Sequence, residues 1–114
     1  MSAITTHILD ITSGLPGAGI AVVLERKTDM SGWQAIGEGV ADADGRVGDL
    51  LSPEEAFLTG QYRLIFDTGA YFALRNAEDF FPQVTISFVV KDTLEHYHVP
   101  LLLSPCGYTT YRGS

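Results

Sequence analysis

Apolar and polar residues alternate along most of this chain, in short runs broken by Gly, Pro, Asp and Asn. Alternation of period two marks a strand with one buried face, because successive side chains leave opposite sides of the pleat. The run AITTHILDI (3–11) is the first predicted strand. IAVVLERK (20–27) sets Ile20, Val22 and Leu24 against Ala21, Val23 and Glu25, and WQAIGEGVA (33–41) follows after the turn residues TDMSG. QYRLIFDT (61–68) places Tyr62, Leu64 and Phe66 on one face, and QVTISFVV (83–90) does the same with Val84, Ile86, Phe88 and Val90. EHYHVPLLLS (95–104) and GYTTYR (107–112) complete the set, with Tyr97, Val99, Leu101 and Leu103 as the inward face of the former. About seven or eight short strands with frequent turn signals predict an all-β, antiparallel sandwich.

Two stretches have helical character. SPEEAFLTG (52–60) offers Ser52 as an N-cap, Pro53 at the first helical position and acids in the first turn. GAYFALRN (69–76) has room for one or two turns between strands. No repeat, linker or low-complexity segment interrupts the chain, so residues 1–114 read as a single domain.

Composition narrows the partners. Hydrophobic residues make up 46 %, enough for a full core, whereas charged residues reach only 18 %. So little charge on so small a domain points to surface covered by other subunits. The net charge of −7 argues against nucleic acid or an anionic membrane as partner. Cys106 is the only cysteine, so no disulfide forms within the chain, and its plain reading is a buried, inert thiol. No signal peptide or membrane-spanning run is visible, and a cytoplasmic location is expected, a leader removed before this numbering being invisible.

The residues able to do chemistry are few. His96 and His98 share a strand face, and such a pair can supply two metal ligands with His7 as a third, although two histidines on a solvated face is the plainer reading. Pro100 gives no ladder hydrogen bond and predicts an edge or a bulge. His7 shares its strand face with Thr5 and Leu9 and reads as a structural histidine. Arg46 follows the turn ADG and reads as a solvated arginine among acids. No G-x-S-x-G elbow and no phosphate-binding glycine loop occur. The last eight residues alternate like a paired strand, which would hold Tyr111, Arg112, Ser114 and the terminal carboxylate in fixed positions.

Four fragments change this picture when taken together: TTHILD at 5–10, ADGR at 43–46, HYHVPLLLSP at 96–105 and YRGS at 111–114. In this order they resemble the transthyretin-like 5-hydroxyisourate hydrolases of the transthyretin superfamily, almost end to end. The resemblance implies a sandwich of two four-stranded sheets, a short helix at GAYFALRN between the fifth and sixth strands, and a homotetramer built as a dimer of dimers. It implies hydrolysis of 5-hydroxyisourate, in purine breakdown, with no metal and no cofactor. It carries catalytic roles to His7, Arg46, His98 and Ser114, and substrate contacts to His7, Arg46, Tyr111 and Arg112, in a cleft where two dimers meet. His96 is a neighbour of this set. Cys106 departs from the aromatic expected there and affects packing before the last strand. Two other readings stay open: a small-ligand carrier on the same fold, and a metal-dependent hydrolase using His7, His96 and His98.

Overall fold

The computed structural model describes residues 2–30 and 32–114. Two sheets face each other across one apolar core. The first carries β1 (Ile4–Asp10), β2 (Leu15–Pro16), β5 (Arg46–Val47), β8 (Tyr97–Ser104) and β9 (Gly107–Thr110). Its order is β2-β1-β8-β9, with β5 also paired to β1. The second carries β3 (Ala21–Lys27), β4 (Trp33–Val40), β6 (Gly60–Phe66) and β7 (Val84–Val90), in the order β4-β3-β6-β7. The short helix α1 (Thr68–Ala73) joins β6 to β7, so with the two-residue strands β2 and β5 counted it follows the sixth strand.

The alternation read from the sequence becomes the core. Tyr62, Leu64 and Phe66 of β6 are fully buried, as are Val22 and Leu24 of β3 and Leu101 and Leu103 of β8. Each fully buried side chain of this kind is worth about 1.5–3 kcal/mol over an exposed one. All strand pairs are antiparallel except one: β1 runs parallel to β8, with Thr5 beside His98, His7 beside Pro100 and Leu9 beside Leu102. The inward residues of this pair are Ile4, Ile8, Tyr97, Val99, Leu101 and Leu103, so Thr5, His7 and His98 share the outer face of the sheet.

Three local expectations are corrected. SPEEAFLTG is not a helix but a turn, closed by the Glu55 N–H donating to the Ser52 carbonyl at 3.0 Å. The Ser52 hydroxyl donates to the Glu54 carboxylate, so the intended cap binds one neighbouring side chain. Pro100 sits in a central strand, between β1 and β9. Its carbonyl accepts the Thr110 hydroxyl, and the His98 carbonyl accepts the Gly113 N–H, each at 2.8 Å. The Pro100 nitrogen therefore faces the stretch where residues 111–112 leave the ladder, and no donor is missed there. Cys106 is exposed, not buried.

The other helix forms where expected. The Asp67 carboxylate accepts the Ala70 N–H at its start, and Asn76 at φ +53° closes the turn after it. Tyr71 fixes α1 to the first sheet: its hydroxyl donates to Asp10 Oδ2 at 2.7 Å, while Asp10 Oδ1 accepts the N–H groups of Thr12 and Ser13. Burial, with the Asp10 carboxylate beside it, pushes the Tyr71 hydroxyl up to about 12.

Candidate functional site

The turn over residues 42–46 is folded by one carboxylate. Asp42 Oδ1 accepts the backbone N–H groups of Asp44 and Arg46, at 2.9 and 3.0 Å. These bonds, that from Arg46 foremost, hold the Asp42 carboxyl below the usual carboxylate range. Gly45 lies at φ +79°, and a Cβ there would come within 2.3 Å of the Ile8 carbonyl oxygen, so only glycine fits. That close approach lets the Gly45 carbonyl accept the Ile8 N–H at 2.7 Å and lays the turn against β1. Arg46 then stands directly opposite His7. The His7 ring donates through Nε2 to the Asp44 carbonyl at 3.0 Å, because a carbonyl oxygen only accepts, so neutral His7 keeps its lone pair on Nδ1. The Arg46 side chain is exposed and makes no hydrogen bond or ion pair with a described residue.

On β8 the register brings His98 beside Thr5. The Thr5 hydroxyl lies 2.7 Å from His98 Nδ1 and 3.0 Å from His96 Nε2, so one buried hydroxyl stands between two imidazoles. His98 is half-buried, and its pKa falls below the ordinary value. Desolvation is the main cause, followed by repulsion from Arg46, His7 and His96. His98 is therefore neutral at pH 7, and its Nε2 has no partner among the described residues.

The chain returns to His98 after β9. The Gly113 N–H donates to the His98 carbonyl, and a Cβ on Gly113 would stand 2.6 Å from His98 Cδ2 and 3.1 Å from Pro100 Cγ. Glycine is needed here for closeness to the imidazole, not for a special φ. Ser114 then joins Thr5, Arg46, Gly48, His96 and His98 in lining a cleft of about 160 Å³.

Of the residues expected at the site, Arg46, His98 and Ser114 meet in this cleft and His7 lies beside it, opposite Arg46. Tyr111 and Arg112 do not line it. They border a second hollow of about 250 Å³ at the open edge of the sandwich, which shares His98 with the cleft. Arg112 donates to Glu95 at 3.2 Å and lies 4.7 Å over the Tyr97 ring, which turns it away from the cleft. Among the described residues no three His, Cys, Asp or Glu side chains converge as a metal-ligand set. The sequence reading missed Thr5 as a member of the site. Its hydroxyl two residues before His7, on the same strand face, was the available signal.

Comparison with known proteins places the chain in a family. The profile of the HIUase/Transthyretin family matches residues 4–113. The 5-hydroxyisourate hydrolase of Salmonella typhimurium is 50 % identical over 111 residues, spanning 97 % of this chain and 80 % of that protein. Among solved structures, the 5-hydroxyisourate hydrolase of Klebsiella pneumoniae superposes with a TM-score of 0.82 at 38 % identity, covering 97 % of this chain and 98 % of the other. Sea bream transthyretin in complex with thyroxine gives 0.91 at 34 % identity, covering 98 % and 95 %. Two sheets in this order, one short helix and a profile match over nearly the whole chain establish that the protein belongs to the HIUase/Transthyretin family.

Proposed function

We propose that the protein hydrolyses 5-hydroxyisourate, opening its cyclic amide to 2-oxo-4-hydroxy-4-carboxy-5-ureidoimidazoline without a metal. The observation that carries this reading is the meeting of Arg46, His98 and Ser114, from three distant segments, in one cleft beside His7. The relatives that share most of the chain are hydrolases of this substrate by name.

Attack of water on an amide carbonyl needs a base for the water proton and a positive charge for the oxyanion. Each histidine has one ring nitrogen held by the protein and the other without a partner among the described residues: Nδ1 of His7 and Nε2 of His98. A neutral imidazole near pH 7 is suited to take the proton and return it to the departing nitrogen. The unpaired Arg46 guanidinium presents a fork of donors to the oxygen that becomes negative. Ser114 orients water or substrate at the cleft wall. Arg112, tied to Glu95 and Tyr97, holds the terminal segment in place.

The active form we propose is a homotetramer. Exposed Val89 on edge strand β7, Tyr108 on edge strand β9 and Tyr111 beyond it leave apolar surface at the open side of the sandwich. A partner there would bring Tyr111 to a shared cleft.

The likeness to a thyroxine-bound transthyretin favours a second reading, a carrier of small ring compounds on the same face. Freshly made 5-hydroxyisourate followed by its ultraviolet absorbance separates the two. Accelerated decay with multiple turnovers supports the hydrolase. Saturable binding with no change in decay supports the carrier.

A further inference from the structure

We propose that the Thr5 hydroxyl is a proton relay that joins His98, inside the cleft, to His96 at its solvent side. The inference rests on the hydrolase reading above and assigns to that reaction two residues outside the set His7, Arg46, His98 and Ser114. The hydroxyl is 2.7 Å from His98 Nδ1 and 3.0 Å from His96 Nε2, and Thr5 itself is 5 % exposed. A hydroxyl has one proton. Between two ring nitrogens it donates to one and accepts from the other, so the tautomers of the two histidines are locked together.

Only two arrangements satisfy both contacts while the rings are neutral. In the first, His98 donates from Nδ1 to Thr5, Thr5 donates to His96 Nε2, and the lone pair of His98 lies on Nε2. In the second, His96 donates from Nε2 to Thr5, Thr5 donates to His98 Nδ1, and His98 holds a proton on Nε2. The first presents a lone pair, and so a base, at His98 Nε2, and the second presents a proton there that is acidic once His98 also gains a proton on Nδ1.

The step between them balances. Water gives a proton to His98 Nε2, and its hydroxide attacks the carbonyl. The Nδ1 proton of His98 passes to the Thr5 oxygen as the Thr5 hydroxyl proton passes to His96 Nε2. His98 is neutral again, now bearing its proton on Nε2, and the charge sits on exposed His96, which releases its Nδ1 proton to bulk water. A bulk proton is then taken up at His96 Nδ1, the His96 Nε2 proton passes to the Thr5 oxygen as the Thr5 hydroxyl proton passes to His98 Nδ1, and His98, now cationic, donates its Nε2 proton to the departing amide nitrogen, which restores the first arrangement. The groups facing this pair favour its direction. His7 on β1 and Arg46 on β5 both disfavour a lasting charge on His98, and desolvation does so more. Ser114, after β9, lines the same wall.

Thr5→Val keeps the shape and removes the hydroxyl, while Thr5→Ser keeps the hydroxyl. The expected result is a kcat lower by roughly tenfold or more in the valine variant with KM within about twofold, and a serine variant within about threefold of the parent. His96→Ala is expected to lose kcat in dilute buffer and to regain it as imidazole is added, because the relay then ends on an external base. Parent-like turnover by Thr5→Val, or serine as poor as valine, overturns the proposal. Ring 15N shifts provide a measure that needs no substrate. In the parent the shifts of His96 and His98 titrate as one coupled pair, and in Thr5→Val they separate. If the parent fails to hydrolyse 5-hydroxyisourate, the functional reading falls, and the 15N titration still decides the coupling: independent titration in the parent overturns it.

Discussion

His7 and Arg46 stand directly opposite one another in the β1–β5 pair, an imidazole and a guanidinium held side by side by a turn that the Asp42 carboxylate folds. The guanidinium sets a fixed positive charge beside the imidazole, and both face the cleft side of the sheet. The arrangement suits an oxyanion better than it suits a neutral ligand.

Arg46→Lys tests the geometry of that charge. The side chain is exposed and has no partner among the described residues, so the variant is expected to fold and melt like the parent. Turnover should fall by roughly a hundred- to a thousandfold, the usual cost of losing an oxyanion donor, because an ammonium cannot present two donors in one plane. Steady-state kinetics on 5-hydroxyisourate beside a thermal melt check it. Near-parental turnover removes Arg46 from the mechanism.

The pH dependence follows from His98. Its pKa lies below the ordinary 6.5, so its neutral form persists as the pH falls past that value. The acid limb of kcat/KM should therefore lie below pH 6.5. The sign for stability is the matching one: the unfolded histidine takes up its proton first, so this group costs folded stability as the pH falls through its ordinary value. Arg46→Gln relieves one of the repulsions and should move the His98 titration upward, read by NMR without any substrate. A limb above the ordinary value, or no movement in the variant, contradicts the assignment.

Gly113→Ala is expected to damage activity more than stability. Its Cβ would fall 2.6 Å from His98 Cδ2, and Pro100 beneath leaves no room to retreat. Overpacking of this kind costs about 1–3 kcal/mol, and here the near end of the strain is the imidazole itself. The check is kcat beside the melting temperature. Unchanged kcat would show that the segment can shift without disturbing the ring.

Tyr71→Phe, distant from the cleft, serves as the contrasting case. It strips the buried Asp10 carboxylate of one donor, and the expected loss is about 1–3 kcal/mol of stability with turnover per folded chain unchanged. Chemical denaturation measures the first and active-site-normalised kinetics the second.

Light scattering checks the assembly. Four chain masses in solution are expected, and activity should decline on dilution through the range where dimers part. A monomer with full turnover would remove the need for a shared cleft.

The strands and their inward faces were legible because one buried face imposes a period of two on the residues themselves: Tyr62, Leu64 and Phe66 could be assigned without knowing their neighbours. The turn at 52–55 was misread because Ser52, Pro53 and two acids begin many helices, and nothing local says that the Ser52 N–H will instead bind the Ile36 carbonyl of β4. The two-residue strands β2 and β5 are too short to carry a pattern. The candidate site was legible only through the four fragments in order. Thr5 shows the limit: its face was readable, but its meeting with His96 and His98 depends on the register of a pair formed across nearly the whole chain.

That parallel pairing of β1 with β8 has a consequence for how the protein comes into being. A parallel pair has no hairpin to start it, and the loop it closes takes in both strands' entire intervening sequence, so its entropy must be met before any contact rewards it. The bond between Thr5 and His98 spans 93 positions. A chain that has made only its nearer pairings, β3 with β4 or β6 with β7 across α1, owns much of the core and none of the cleft. Catalysis is then an all-or-none property of the finished molecule: a nascent or partly folded chain has no weaker version of the activity to express.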